Sequence, residues 1–430
     1  MKKLIIITPL LILLLIPPYF FGSQAERHFK KLIELANQHS AYSVKIIDYD
    51  RGWFSTIAKV EFKLSLDSNP DLMNFPSLIF MQQMQHGPLL YKTQSLGLGL
   101  MDSTVTLLLP EAWQQAIDEQ QSIDQKTLQL TSRTSFDEST WSYLKMTAIN
   151  FKDDKHAINI KPADASLYYD LSGHVTGNLD WQGLEVTEAG NKRLDIGPLN
   201  TAIDQQLVRG QLFAANSIFS GSFDTSITSI AIPAEASMPA TQLTNLSFKT
   251  STEVRDQLLD VKIVFAIAEL KAMQLEFTHL IQDISILNLN ITVLQEFAEL
   301  MTQSQQNTQL DPLPLMQLLL PKMLSSEPLL KINKFGLNTT DGPIDTRLDL
   351  RINADLYNID KPDSLLQAIE VDASGYGPEA FFRSLGLAGP IDHFVQQNML
   401  TREPPLIKFN FTFINGQALL NGQTLLQPSI

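Results

Sequence analysis

The sequence predicts a mainly β protein with some α structure (α+β): a large antiparallel, curved β-sheet body with a few packed helices, after an N-terminal transmembrane helix. Three observations predict this architecture. Residues Leu4–Phe21 form one uninterrupted apolar run. Much of the remaining chain consists of short segments in which apolar and polar residues alternate, as in strands with one face in water. Helical patterns are fewer and shorter than the strand patterns.

The N-terminal run is long enough to cross a bilayer. As an α-helix it would span about 27 Å, at about 1.5 Å per residue, and a bilayer hydrocarbon core is roughly 30 Å thick. Leu4, Leu15 and Phe21 mark the start, the middle and the end of this anchor, and two lysines precede it. Those lysines predict a cytoplasmic N-terminus. Residues 1–24 are therefore predicted as a membrane anchor, with the body on the other side.

A cleaved signal peptide is the alternative for the same residues. Pro17 and Pro18 would end the helix of a short apolar region, and residues 23–25, Ser-Gln-Ala, form an acceptable cleavage site. Against cleavage, the aromatic residues 19–21 resemble the belt that membrane helices place at the interface. Both alternatives export the body.

Residues 25–41 are predicted as a stalk helix that leads away from the membrane. Phe29, Leu32, Ile33 and Ala36 follow the spacing of one apolar helix face. No second apolar run of comparable length follows, so the predicted topology is single-pass.

Residues 42–430 are predicted as a β-rich body, either undivided or divided near residues 292–325. From Ile57 onward apolar and polar residues alternate, which is typical of a half-buried strand. Near the end of the chain, two alternating runs flank Asn415-Gly416, a strong hairpin signal. Helical patterns cover residues 293–303, 314–324, 365–369, 379–385 and 391–399.

Composition excludes several classes of function. The net charge of −14 argues against nucleic acid as a partner, because a phosphate-binding surface needs an excess of Lys and Arg. The chain has no cysteine, which excludes disulfides, thiol catalysis and cysteine-ligated metal centres. A homo-oligomer stays compatible with the sequence.

The most distinctive local feature is the segment Tyr49, Arg51, Gly52, Trp53 and Phe54. One interpretation makes it a recognition tip, with Arg as a forked donor and Trp as a flat apolar contact. The other makes it a structural turn, in which Gly supplies a positive φ and the aromatic residues hold the first hairpin on the sheet. The structural interpretation is favoured, because aromatic residues near turns usually pack.

No motif with a defined chemistry is present. The seven histidines include no pair at i, i+4 and no HExxH, so the spacing of zinc proteases is missing. His86 precedes Gly-Pro, which predicts a solvated or carbonyl-bonded histidine in a turn. The sequence also lacks GxSxG, Walker and GxGxxG patterns. We predict no catalytic residue, no cofactor and no metal site.

Three segments carry a resemblance to a known family. They are Tyr49 to Phe62 (YDRGWFSTIAKVEF), Gln85 to Leu89 (QHGPL) and Asn415 to Gln423 (NGQALLNGQ). In this order they resemble the YdgA-like family, bacterial domain-of-unknown-function family 945. The matching positions of the first segment are Tyr49, Arg51, Gly52, Trp53, Phe54 and Ser55.

The resemblance implies a location and a fold class. Members of the family are associated with the Gram-negative envelope, anchored in the inner membrane and facing the periplasm. The resemblance therefore implies a single-pass inner-membrane protein with a mainly β periplasmic body. No activity, cofactor or catalytic residue comes with it.

Three hypotheses for function follow. The first is a non-enzymatic envelope protein that binds or carries an apolar or lipid ligand along its sheet. The second is a structural or assembly scaffold, in which the aromatic turn and strand edges bind an envelope protein or a second copy. The third is a hydrolase without a recognisable motif, which a close His–carboxylate or carboxylate pair in a buried cleft would support.

Overall fold

The computed structural model of the chain covers most residues between Lys2 and Leu426. The described residues are 2–37, 42–64, 77–91, 96–108, 127–152, 155–212, 216–234, 239–273, 275–306, 319–358, 361 and 364–426. Among these, nothing is described of the side chains of residues 2–16, 64, 301–306 and 426.

The chain divides into two compact units. The first consists of Met1–Arg193 and Pro198–Ser217, and the second of Leu194–Gly197 and Ile218–Ile430. The predicted division near residues 292–325 falls inside the second unit. Strands dominate the chain, helices are few and the large sheet is antiparallel, which confirms the mainly β prediction.

The first unit begins with helix α1, Lys2–Ala36. The helix continues through Pro17 and Pro18, where the signal-peptide alternative predicts its end. Proline removes a backbone donor and clashes with the preceding turn. The helix can continue past the two prolines because the residues that follow are packed against the sheet. Ala25 (1% exposed) and Phe29 (5% exposed) provide this packing, because both lie in the core of the first unit.

The predicted anchor lies mostly outside the residues whose side chains are described. Leu4 and Leu15 belong to that undescribed part, whereas Phe21 is described and half-buried. Among the residues that could be searched, no helix is long and apolar enough to cross a membrane.

The strands of the first unit form one main sheet and two smaller ribbons. They are β1 (Tyr42–Arg51), β2 (Ser55–Leu64), β3 (Leu78–His86), β4 (Leu89–Leu90), β5 (Gly97–Leu98), β6 (Met101–Leu108), β7 (Leu128–Thr134), β8 (Thr140–Met146), β9 (Ile149–Lys152), β10 (His156–Ile160), β11 (Ala163–Tyr169), β12 (His174–Trp181), β13 (Leu184–Glu188) and β15 (Leu199–Arg209). In the described chain the main sheet runs β1, β2, β3, β6, β7, β8, β11, β12, β15, each strand antiparallel to the next. The ribbons are β9–β10–β13 and β4–β5.

Antiparallel pairing brings alternate connections to the same end of the main sheet. Residues 52–54, 87–100 and 135–139 join β1 to β2, β3 to β6 and β7 to β8. We call this the entry end, because the described side chains of α1 begin there. The helix runs from it to the other end, where the Asn37 side-chain amide exchanges two 2.7 Å hydrogen bonds with the Val44 backbone.

Alternation in β2 places its apolar residues under α1. Ala58 is fully buried and Val60 is 7% exposed, whereas Ile57 is 46% exposed on the other face. Ala58 and Val60, together with Met84 of β3, pack against Ala25 and Phe29 of the helix in the core of the first unit. Residues 25–36 are thus part of this core, and do not stand apart from the sheet as the predicted stalk over residues 25–41 would.

The second unit is a meander of long strands with short helices. Its strands are β14 (Asn191–Ile196, shared at its start with the first unit), β16 (Ile218–Ile232), β17 (Thr241–Arg255), β18 (Leu258–Ala272), β19 (Leu275–Asn290), β20 (Leu329–Thr339), β21 (Gly342–Ile352), β22 (Ile369–Pro378), β23 (Thr401–Glu403), β24 (Leu406–Ile414), β25 (Gln417–Leu420) and β26 (Gln423–Leu426). Each from β16 to β22 is antiparallel to the next, and β24 pairs with β22, β23 and β25. Its labelled helices are α2 (Ile291–Gln306), α3 (Ser364–Ala368), α4 (Glu379–Ser384) and α5 (Ala388–Gln396). Residues 319–324 are also helical, and Ala354–Leu356 form a short 3-10 helix.

Local signals in the second unit are confirmed. Asn415 and Gly416 have φ values of 52° and 74°, the left-handed values that a tight hairpin turn needs, and they join β24 to β25. The predicted helical patterns at 293–303, 365–369, 379–385 and 391–399 correspond to α2–α5. The pattern at 314–324 is helical over 319–324, and its earlier residues lie outside the described chain.

Candidate functional site

The β1–β2 turn lies against the first turn of α1 whose side chains are described, which contains Tyr19. The rings of Trp53 and Tyr19 are 4.9 Å apart between centroids. The guanidinium of Arg51 lies 4.7 Å from the centroid of the Tyr19 ring, a distance typical of a cation–π contact. The turn that the sequence singled out is therefore an attachment point for the helix.

Arg51 also forms an ion pair with the helix. Its Nη1 atom donates to Glu26 Oε2 at 2.9 Å, and Lys30 Nζ donates to the other oxygen of the same carboxylate at 2.7 Å. The hydrogen bond from Lys30 is the main cause that lowers the pKa of the Glu26 carboxyl, and the hydrogen bond from Arg51 adds to it. Because the Arg51 and Glu26 side chains are only 22% and 23% exposed, this contact fixes the rotation of α1 on the sheet.

The other predicted residues of the turn differ in exposure. Tyr49 packs inward, with its ring 6.0 Å from that of Phe29 and nearly parallel to it, and burial raises the pKa of its hydroxyl. Trp53 and Phe54 remain 48% and 51% exposed. The segment therefore contains both structural residues and an exposed aromatic pair.

Gly52 lies at a close approach of the backbone, and the predicted positive φ is wrong. Its φ lies outside the left-handed region, and a Cβ atom at this position would lie 3.1 Å from the Ser55 carbonyl oxygen. The Gly52 N–H donates to that same oxygen at 2.8 Å. The turn closes on this hydrogen bond.

His86 joins the turn, the sheet and the helix from inside. It is 3% exposed; its Nδ1 atom lies 3.3 Å from the Trp53 carbonyl oxygen and its Nε2 atom 2.8 Å from Thr56 Oγ1. Donation to the carbonyl leaves Nε2 to accept from the hydroxyl. Burial lowers the pKa of His86, which keeps the ring neutral near pH 7.

Gly22 of α1 lies directly over this ring. A Cβ atom at Gly22 would lie 2.4 Å from His86 Nδ1, so only glycine lets the helix approach so closely. The sequence predicts a solvated or a carbonyl-bonded His86. The structure shows a buried, carbonyl-bonded ring, and the sequence gives no sign that Gly22 is its neighbour.

A second histidine links α1 to the β7–β8 turn. His28 is 4% exposed, and its Nδ1 atom lies 3.2 Å from Glu138 Oε2. Burial lowers the pKa of His28, although the Glu138 carboxylate partly opposes this shift. In the same region the Phe21 and Phe136 rings are 5.1 Å apart.

A buried ion pair lies between β6 and β7, where the sequence gave no signal. Asp102 is fully buried, and it accepts hydrogen bonds from Arg133 Nε and Nη2 at 2.7 and 2.8 Å. The two residues are direct cross-strand partners. This bidentate geometry is among the strongest for an ion pair, and it raises the pKa of the Arg133 guanidinium.

An apolar cavity of about 270 Å³ opens between α1 and the main sheet. Phe29 and Ile33 line it on the helix side. On the sheet, seven apolar residues from five neighbouring strands line it: Val60, Phe80, Val105, Leu107, Leu128, Leu130 and Leu144. Cross-strand pairing aligns them, because Val60 faces Phe80, Phe80 faces Leu107, and Val105 faces Leu130.

Gln82 is the polar member of the lining. Its Nε2 atom donates to Ser103 Oγ at 3.0 Å, so its amide is directed to a sheet neighbour. A cavity of this composition, with few polar groups, suits an apolar occupant.

The described histidine–carboxylate pairs lie outside the apolar cavity. Besides His28 and Glu138, His174 lies 3.2 Å from Asp204, and His156 lies 3.8 Å from Glu188. None of these residues lines the apolar cavity. Within the described residues, no group of three His, Asp or Glu side chains is placed to hold a metal ion.

Comparison with known proteins identifies the family. The family described as "Bacterial protein of unknown function (DUF945)" matches residues 1–427. The chain belongs to this family. A search of curated proteins and a search of solved structures found no match.

The DUF945 match confirms the resemblance predicted from three short segments, and the structure shows where they lie. Residues 49–55 and 85–89 of this DUF945 chain meet in the first unit, since the His86 N–H donates to the Phe54 carbonyl oxygen at 2.8 Å. The third segment, residues 415–423, forms the turn that follows β24, the strand β25 and the turn that leads to β26 in the second unit.

Proposed function

We propose that residues 4–21 hold this DUF945 protein in the inner membrane as a single-pass anchor, with the body in the periplasm. We further propose that the body is non-enzymatic and binds an apolar or lipid ligand between α1 and the main sheet of the first unit. The single observation that supports ligand binding is the apolar cavity. Its volume of about 270 Å³ is close to the lower limit, roughly 300 Å³, of known ligand pockets.

The position of the cavity relates ligand binding to the proposed anchor. Phe29 and Ile33 in its wall belong to the same helix as the proposed anchor. A ligand drawn from the bilayer would thus bind beside the helix that holds the body there.

Filling the cavity tests the proposal. We expect Val105→Phe, which places a larger side chain in the wall, to weaken binding of a dansyl-labelled undecanoic acid about tenfold, or about 1.4 kcal/mol. The measurement is a fluorescence titration of the full chain in detergent, together with mass spectrometry of lipids that co-purify with it.

Val208→Phe is the matched control. It makes the same substitution on β15 of the same unit, at a side chain that is 38% exposed and outside the cavity lining. We expect it to bind the probe as the unmodified chain does. Equal binding by Val105→Phe and Val208→Phe, or no probe binding and no co-purified lipid, would contradict the proposal.

A further inference from the structure

The entry end of the first unit carries a group of large apolar side chains that are largely exposed to solvent. They are Trp53, Phe54, Tyr91, Leu96, Leu98 and Phe136, between 48% and 70% exposed. We call this group the apolar rim. Single exposed apolar residues are ordinary, whereas a cluster at one end of a fold marks an interaction surface.

The rim comes from three connections that antiparallel pairing brings together. Trp53 and Phe54 lie in the β1–β2 turn, and Phe136 lies in the β7–β8 turn. The β4–β5 ribbon lies between them along the sheet. Leu90 of this ribbon is fully buried, whereas its neighbours Leu89 and Tyr91 are exposed.

The other end of the main sheet differs. Its described connections include residues 147–148 and 161–162, and none of these is an exposed large apolar residue. Within the described part of the first unit, the exposed apolar turns are therefore concentrated where α1 enters.

The helix contacts the rim at the residues where the N-terminal apolar run ends. Tyr19 contacts Trp53, and Phe21, the last residue of that run, contacts Phe136. If the run spans the bilayer, its last residues lie at the membrane surface, and the rim lies at the same level. Aromatic and leucine side chains are favourable at that depth.

We infer that the apolar rim rests on the bilayer surface and holds the body of the protein against the membrane. This inference depends on the membrane anchor proposed above. The attraction is apolar and not electrostatic, because the connections at this end carry one lysine, Lys92, against the acidic residues Asp137, Glu138 and Asp170. Hydrogen bonds from Ser139 and Ser172 lower the pKa of the Asp137 and Asp170 carboxyls, which keeps both charged.

The lack of cysteine in the chain makes single-cysteine labelling a direct test. The full chain, as Tyr91→Cys or Leu98→Cys, is labelled with the fluorophore NBD and placed in phosphatidylcholine vesicles. Thr147→Cys, exposed at the other end of the sheet, is the matched control. We expect nitroxide-labelled lipid to quench the two rim positions several-fold more strongly than position 147, with or without anionic lipid.

Three results would overturn the inference. The first is equal quenching at the rim and at position 147, and the second is quenching that requires anionic lipid. The third is a rim signal that depends on protein concentration without lipid, which would assign the rim to a second copy.

Flotation of the same samples separates the two proposals. A chain that does not float with vesicles contradicts the anchor, whereas a floating chain with an unquenched rim contradicts only this inference.

Discussion

Gly22→Ala is expected to loosen α1 from the first unit. The new Cβ atom would lie 2.4 Å from His86 Nδ1, and the ring cannot move aside because the Trp53 carbonyl and the Thr56 hydroxyl hold it. Overpacking of this kind destabilises by about 1–3 kcal/mol, against a gain of about 1 kcal/mol from helix propensity. Hydrogen exchange of α1 and β3, followed by mass spectrometry of the full chain, measures the change.

Gly389→Ala provides the control for this substitution. Gly389 lies in α5, and a Cβ atom there has no neighbour within 4 Å, so the change is expected to be neutral or slightly stabilising. In a His86→Ala background, Gly22→Ala is expected to lose most of its effect, since residues in contact are not additive. An equal effect of Gly22→Ala in both backgrounds would show that the close approach does not hold the helix.

Asp102→Ala is expected to destabilise the first unit by about 3 kcal/mol. Removing one partner of a buried ion pair leaves the other charge uncompensated, which costs about 3–5 kcal/mol. The low end of this range applies because the Arg133 side chain is still 20% exposed. The measurement is hydrogen exchange of β6 and β7, with the strands of the second unit as internal reference.

Asp204→Ala is the matched control for a carboxylate in the same unit. The Asp204 side chain is 71% exposed and faces His174 at 3.2 Å, so its loss is expected to change stability by less than about 1 kcal/mol. The double substitution Asp102→Leu with Arg133→Met is expected to recover much of the loss, because an apolar pair leaves no buried charge. Normal protection of β6 and β7 in Asp102→Ala would refute this account of the ion pair.

Short-range patterns predicted the strands, the helices of the second unit and the last hairpin. The alternation around Ile57 reports which side of β2 is buried, and Asn415-Gly416 reports a turn whose φ values other residues rarely adopt. Such signals depend on neighbours in sequence, so a single chain reveals them.

The packing of α1 on the sheet and the buried ion pair could not be predicted, because both depend on contacts between distant parts of the chain. An amphipathic pattern over residues 25–36 predicts a helix with an apolar face, but it does not say which surface that face covers. The sheet lies under it, and the predicted stalk is part of a core. Likewise, Asp102 looks like an ordinary strand residue until pairing places Arg133 opposite it.

The candidate site was partly visible in the sequence. The segment Tyr49–Phe54 was distinctive because several constraints coincide there: a stacked Tyr49, an ion-paired Arg51, a close approach at Gly52 and two exposed aromatic residues. The sequence did not distinguish the residues that attach α1 from those that remain exposed, because that difference depends on where Tyr19 and Glu26 lie.

We propose that α1 stays intact, so that one helix both anchors the protein and forms part of the core of its first unit. Removal of residues 1–25 would delete Tyr19, Gly22 and the buried Ala25, and with them the contacts to Trp53 and His86. N-terminal sequencing and intact mass of the protein extracted from cell membranes test this directly. We expect a chain that still contains Tyr19, Gly22 and Ala25, whereas a mature chain that begins at Glu26 would show that α1 is cleaved.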